Sequence, residues 1–127
     1  QNPVSQRQRR NIYTSISRMS NQAWALHIQI ELKPSFVDKF LLKFSELARH
    51  VEANEPETLS YELGRSDRDP NVFIIIERYS KKEFLADPHQ RSDSFKKFKS
   101  WMDENAEMVV RKDGFSFYEQ NIGYMSR

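Results

Sequence analysis

The sequence has no cysteine and only three glycines among its 127 residues. Without cysteine it cannot form a disulfide bond, a thiolate nucleophile or a cysteine-ligated zinc or iron–sulfur site. Three scattered glycines cannot build the Gly-rich loops that hold nucleotide phosphates. No apolar run approaches the roughly 18 residues of a membrane-spanning helix, so we expect no membrane partner. Because the motifs of the common cofactor and metal sites are missing, we expect neither a cofactor nor a metal. The length predicts one domain with one core.

Acidic residues are missing from the N-terminal end, where residues 1–20 contain four arginines and no acid. Removing these four from the 20 basic residues leaves 16, against 18 acidic residues, so the remainder is nearly neutral. A nucleic-acid-binding domain would carry the basic excess on its folded surface, so we expect no nucleic-acid partner. The composition predicts a flexible segment at 1–22 and a folded domain at 23–127. We expect a cytoplasmic protein, or an organellar one if 1–22 is the remainder of a transit peptide.

Hydrophobic periodicity predicts four strands and two main helices. Apolar residues alternate along 24–32, which is typical of a half-buried strand, and recur at helical spacing from 36 to 51. Ser35 predicts a capping-box start for this helix. Further strands are predicted at 58–64, 72–79 and 115–124, with a second helix at 90–108 and a turn at Asp113–Gly114. The order β-α-β-β-α-β predicts an α+β, ferredoxin-like fold with a four-stranded antiparallel sheet.

One face of the predicted sheet has no helix to cover it. We expect that face to carry Tyr61, Phe73, Ile75 and Phe117, a set too apolar to stand in water. A domain of this size has no third layer. Two copies that bury the face against each other would solve the problem, so we expect a homodimer.

The segment around the third strand carries a recognisable pattern. The strand ends in Glu77 and Tyr79, and His89, Ser92 and Phe95 follow at a spacing of three. This arrangement, with its H-x-x-S-x-x-F, resembles the antibiotic biosynthesis monooxygenase family.

The resemblance extends over residues 23–124, and Tyr61 with Leu63 is similar to the family's Y-x-L on the second strand. Two positions depart from the family pattern: Tyr79 replaces a usual Trp, and Ser94 replaces a usual second His. The family implies a dimeric α+β barrel with a pocket inside each protomer.

The resemblance also implies a reaction, the oxygenation of electron-rich phenols or quinols by dioxygen without flavin, heme or metal. Such a pocket needs to bind a small flat aromatic, take the proton of its hydroxyl group and exclude water. His89 is the candidate base, because the ordinary pKa of imidazole lies near the working pH. His27 and Glu77 are candidate helpers. The candidate substrate-binding residues are Gln29, Tyr61, Phe73, Ile75, Tyr79, Trp101 and Phe117.

Each candidate also has a purely structural interpretation. His89 could be an exposed residue at a helix start, His27 a hydrogen-bonded core imidazole, and Glu77 an ion-pair partner of a second subunit. The whole protein could be a non-catalytic, small-ligand-binding or stress-response dimer. A heme-degrading relative is disfavoured, because His27 and His89 stand where that branch has Asn and Trp. An RNA-binding sheet needs exposed aromatic residues on its middle strands, flanked by Lys and Arg. It is disfavoured because the third strand instead has an apolar body with an acid, Glu77, near its end.

Overall fold

The computed structural model describes residues 5–9 and 22–126. Within them, four strands form one antiparallel sheet in the order β2-β3-β1-β4, where β1 is Trp24–Leu32, β2 Thr58–Arg65, β3 Val72–Tyr79 and β4 Val109–Tyr118. Helix α1, Val37–Asn54, joins β1 to β2, and helix α2, Asp93–Glu104, joins β3 to β4. The predicted α+β, ferredoxin-like order is confirmed. No helix among the described residues has the length and apolarity needed to cross a membrane.

Of the segment 1–22 that we predict to be flexible, residues 1–4 and 10–21 lie outside the described part of the chain. Residues 6–9 are helical. The flexibility of the segment therefore stays a prediction.

The two helices start in different ways. A 3₁₀ turn at Pro34–Phe36 leads into α1, and no side chain caps its first turn, so the capping role predicted for Ser35 is wrong. The first turn of α2 is capped by Ser92, which has an extended backbone and whose hydroxyl oxygen accepts the Phe95 N–H at 3.1 Å. Asp87, in the segment before this cap, has the extended backbone that is usual for a residue that precedes proline.

The helices cover the sheet face that we expected to be open. Phe73 is 1% exposed and its ring centroid lies 5.7 Å from that of Phe40 in α1. Tyr61 stacks on Phe44 of the same helix at 5.4 Å. Placing Tyr61, Phe73 and Ile75 on the uncovered face is therefore wrong. Strand β3 carries apolar residues on both faces, so periodicity identifies two faces without showing which one the helices cover.

Strand β4 also differs from the prediction, because it runs straight through Asp113–Gly114. These residues pair with Gln29 and Ile28 of β1. The dipeptide is typical of a turn, but the β1 edge supplies backbone partners that hold it extended. A side chain at Gly114 would meet nothing within 4 Å, as expected on an edge strand. The second helix is correspondingly shorter than predicted and ends at Glu104.

The face away from the helices still carries apolar side chains. It holds Phe115, which is 69% exposed, and the half-buried Phe117, together with alternate residues of β3, namely Val72, Ile74 and Ile76. This set, which we call the open face, replaces the one named from sequence.

We predict that the open face joins two copies in a homodimer whose interface exceeds roughly 1,000 Å². Phe115→Asp should lower the mass to that of a monomer, because it would bury an unpaired charge in the interface. Light scattering at micromolar concentration measures the mass. Leu42→Asp is the matched control, since Leu42 is 59% exposed on α1, and it should leave the dimer intact. A wild-type protein with monomer mass would contradict the prediction.

Candidate functional site

A cavity of about 260 Å³ lies between the sheet and α2. Most of its wall is apolar, formed by aliphatic side chains of β1 and β3 and by side chains of α2, among them Leu26, Ile28, Ile75, Phe95, Phe98 and Met102. Exposed polar and charged residues also line it, namely Gln90, Lys99, Asp103 and Lys112. Tyr61 and Glu77 are the polar groups on the inner wall. The cavity is therefore an apolar space with one buried carboxyl group.

The Glu77 carboxyl group is 4% exposed and accepts a hydrogen bond of 2.6 Å from the Tyr79 hydroxyl. Burial among apolar side chains raises the pKa of Glu77 to about 7, against a smaller opposing effect of the Tyr79 hydrogen bond. The negative charge of Glu55 adds to the rise, and Lys112 opposes it. Burial raises the pKa of Tyr79 as well, so this side chain remains a hydroxyl donor. Glu77 is consequently poised to exchange a proton near neutral pH.

His89 is buried behind Glu77 and does not line the cavity. The ring is 1% exposed, with Nδ1 at 2.9 Å from Glu55 Oε1 and Nε2 at 3.8 Å from Glu77 Oε1. Burial lowers the pKa of His89, while the neighbouring Glu55 carboxylate opposes that shift. The imidazole thus lies between two carboxyl groups, and the interpretation of His89 as an exposed helix-start residue is wrong.

The H-x-x-S-x-x-F pattern has a local explanation in these contacts. The Ser92 hydroxyl donates to the His89 carbonyl at 2.9 Å while it caps α2. The Phe95 ring lies 4.9 Å from the His89 ring and also lines the cavity. One short segment therefore fixes the imidazole, starts the helix and supplies part of the cavity wall.

The structure brings together only some of the residues predicted from sequence. Glu77, Tyr61 and Ile75 line the cavity, and Tyr79 and His89 lie behind Glu77. Phe73 is part of the core under the helices. Trp101 stacks on Phe36 at 4.7 Å and faces an outer groove between the helices.

The other predicted residues lie on the opposite side of the sheet. His27 packs edge-on against Phe117 at 5.3 Å, and Gln29 is exposed. Side chains alternate along a strand, and the neighbours of His27, Leu26 and Ile28, line the cavity. His27 therefore points away from Glu77, and the expected convergence of these two residues on one pocket does not occur.

Sequence reasoning missed Glu55, which follows α1 and is 3% exposed. It lies in a stretch, EANEPE, that has the composition of a solvated loop. Its partner His89 is 34 positions away, so no local spacing connects the two. Within residues 5–9 and 22–126, no group of three or more acidic or histidine side chains is arranged to hold a metal ion.

The raised pKa of Glu77 predicts how the stability of the fold depends on pH. Because the folded state raises this pKa from 4.5 to about 7, the contribution of Glu77 to stability is greatest below pH 4.5 and is lost as the pH rises through 7. Glu77→Gln removes the loss, so the stability of this variant relative to wild type should rise by about 2.5 kcal/mol between pH 5 and pH 8.5. Urea unfolding at the two pH values measures it. Glu62→Gln, an exposed residue of β2, is the control. An advantage that does not change with pH would contradict the prediction.

Comparison with known proteins supports the fold and the family. The model of the antibiotic biosynthesis monooxygenase family matches residues 24–101. A comparison with curated proteins finds no match. A protein from Caulobacter crescentus CB15 that bears the same family name aligns with a TM-score of 0.71 and 22% identity, over 84% of this chain and 97% of its own.

Two further solved structures agree. A conserved protein from Methanosarcina mazei Go1 has a TM-score of 0.68 and 19% identity over 82% of this chain and 99% of its own. A Bacteroides thetaiotaomicron VPI-5482 protein described as a possible oxidoreductase has a TM-score of 0.67 and 19% identity over 78% and 99%. These structural likenesses show a shared fold. The family match spans more than half of the sequence, and the chain therefore belongs to the antibiotic biosynthesis monooxygenase family.

Proposed function

We propose that this protein is a cofactor-independent monooxygenase that oxygenates a small electron-rich phenol or quinol, with Glu77 as the base. The observation that carries the proposal is a buried carboxyl group on the inner wall of a largely apolar cavity. His89 and Glu55 lie behind that carboxyl group and support it. Dioxygen is the second substrate.

The size and walls of the cavity favour a small aromatic. Its volume of about 260 Å³ lies just below the range of roughly 300–1,000 Å³ that is typical of drug-sized ligands. Phe95 and Phe98 offer ring faces and edges, and the aliphatic side chains of the sheet offer a flat opposite wall. Such walls bind a planar ring and exclude water from its hydroxyl group.

Glu77 is better placed than His89 to take the first proton. A general base must come within hydrogen-bond reach of the proton that it removes. Glu77 lines the cavity, whereas His89 is 1% exposed and lies on the far side of Glu77. A base with a pKa of about 7 is also close to the optimum for work at neutral pH.

The proposed reaction balances without another reactant. The carboxylate takes the hydroxyl proton. The phenolate transfers one electron to dioxygen, and the two radicals then combine to form a C–O bond at a ring carbon that is ortho or para to the phenolate oxygen and carries a hydrogen. The resulting peroxide takes the proton back. Loss of the proton on the same ring carbon then forms C=O as the O–O bond breaks. The departing hydroxide leaves as water with that proton, so a phenol and dioxygen give a quinone and water.

We predict oxygen uptake with members of a panel of quinols and polyphenols, measured with an oxygen electrode in the presence of chelator. Glu77→Gln should lower the rate by about 10²–10⁴-fold, the usual contribution of a positioned base. The wild-type rate should rise with pH through about 7 as Glu77 ionises. The other ionisable groups around the carboxyl are Tyr61, Tyr79, Glu55, His89 and, from the cavity lining, Lys99, Asp103 and Lys112.

Two variants serve as controls for this assay. Glu62→Gln changes an exposed carboxylate on the same sheet and should keep the wild-type rate. His27→Asn changes the imidazole on the other face, so loss of the rate in this variant would return His27 to the catalytic candidates. An unchanged rate in Glu77→Gln would remove Glu77 as the base. Tight binding of another ligand without oxygen uptake by any compound would instead favour a small-ligand-binding protein.

A further inference from the structure

Glu55 is a buried carboxyl group that no feature of the sequence marks as functional. Its Oε1 lies 2.9 Å from His89 Nδ1, and both side chains are almost fully buried. Its Oε2 makes no hydrogen bond among the described residues and lies 3.5 Å from Nε2 of the partly exposed His50. Burying a carboxylate is costly unless a partner offsets the cost. The position of Glu55 therefore needs an explanation.

The contact with Glu55 determines which ring nitrogen of His89 carries a proton. A carboxylate accepts hydrogen bonds, so the 2.9 Å contact requires the proton on Nδ1 when the ring is neutral. Burial lowers the pKa of His89 and so keeps the resting ring neutral near pH 7. Nε2 then has a free lone pair, and it faces Glu77 Oε1 at 3.8 Å.

We propose that Glu55 is a positioning residue of the proposed reaction: it holds the proton of His89 on Nδ1, so that Nε2 can accept the proton that Glu77 takes from the substrate. The catalytic step rests on the proposed function, but the tautomer does not. Glu55, His89 and Glu77 form one chain of three groups from the interior to the cavity wall.

Proton transfer along this chain conserves every charge. The hydroxyl proton moves first to Glu77 and then to His89 Nε2, which leaves an imidazolium between two carboxylates. Glu55 stabilises that cation because it already accepts the Nδ1–H, as in other carboxylate–histidine pairs. The same proton returns through Nε2 and Glu77 to the peroxide. The 3.8 Å gap must shorten for the transfer, and catalytic hydrogen bonds are often long until the substrate binds.

The partly exposed His50 also influences the pair formed by Glu55 and His89. Asn54 Nδ2 lies 3.2 Å from His50 Nδ1, which directs the other nitrogen of the ring toward Glu55 Oε2. A positive charge on His50 lowers the pKa of His89. The ionisable groups around His89 are thus Glu55, Glu77, His50, Tyr61 and Tyr79.

The first test measures the tautomer of His89 in the wild-type protein and then in a variant of Glu55. The chain has three histidines, so ¹⁵N NMR resolves three imidazoles, assigned by the signals lost in His27→Asn and His50→Asn. We expect neutral His89 to carry its proton on Nδ1 at pH 7–8. In Glu55→Gln the Nδ1 tautomer should lose its preference and the pKa of His89 should fall further, because the opposite charge has gone. A wild-type His89 protonated on Nε2 would overturn the proposal.

The second test is kinetic. Glu55→Gln should lower kcat by about tenfold to a hundredfold with KM unchanged within a factor of about two, because Glu55 acts on proton transfer and not on binding. Glu52→Gln, an exposed residue near the end of α1, should leave both constants unchanged. A wild-type kcat in Glu55→Gln would overturn the proposal and leave Glu77 as the base.

The two tests distinguish a failure of the proposed role of Glu55 from a failure of the proposed function. If wild type oxidises no quinol, the proposed function and with it the catalytic role of Glu55 are overturned. An Nδ1-protonated His89 that changes tautomer in Glu55→Gln would then still support Glu55 as the residue that orients the imidazole toward Glu77. If wild type oxidises a quinol but His89 carries its proton on Nε2, the function stands and the role of Glu55 is overturned.

Discussion

The pairing of β1 with β3 determines what meets between the sheet and the helices. In this register Ile28 lies opposite Ile75 and Leu26 opposite Glu77, so one carboxyl group stands on the same face as the aliphatic side chains that pack under the helices. A shift by one residue would turn Glu77 to the open face and bring Arg78 inward. Both the core and the cavity wall therefore depend on this single alignment.

The same alignment places a group of polar side chains in or near the interior. Hydrogen bonds between them offset the cost of removing each one from water. Glu77 is supported by the Tyr79 hydroxyl, His89 by Glu55, and the loop before α2 by the Ser92 hydroxyl. Removing one partner from such a group leaves a buried polar atom unpaired, which costs more than the hydrogen bond itself contributes. The raised pKa of Glu77 shows that this arrangement lowers the stability of the native state when that carboxyl group is ionised.

Much of the fold could be predicted from the sequence, because local signals agree with it. The alternation along β1 and the helical stripe of α1 give those elements almost to the residue, and the boundaries of β3 are as predicted. Local signals failed where tertiary pairing overrides them. The Asp113–Gly114 turn signal is overridden by pairing with β1, and the face covered by the helices is ambiguous because β3 is apolar on both sides.

The candidate site could be predicted only in part, for a related reason. Glu77 and His89 fall in one segment with a characteristic spacing, so a sequence pattern finds both. Glu55 meets His89 only through the fold, and nothing in its neighbours separates it from the exposed Glu52 and Glu57. The placement of His27 depends on which face the helices cover, which periodicity alone does not determine.

The Ser92 hydroxyl has a mechanical consequence. It accepts a hydrogen bond from the Phe95 N–H in the first turn of α2 and donates one to the His89 carbonyl. The same hydroxyl group therefore holds both the start of α2 and the residue that carries the imidazole. Phe95 and other residues of α2 form a wall of the cavity. A ligand that displaces this wall would strain the two hydrogen bonds of the Ser92 hydroxyl and tilt the His89 imidazole relative to Glu77. In the proposed reaction, the fit of the substrate against α2 would therefore change the 3.8 Å separation of His89 Nε2 and Glu77 Oε1 across which the proton is transferred.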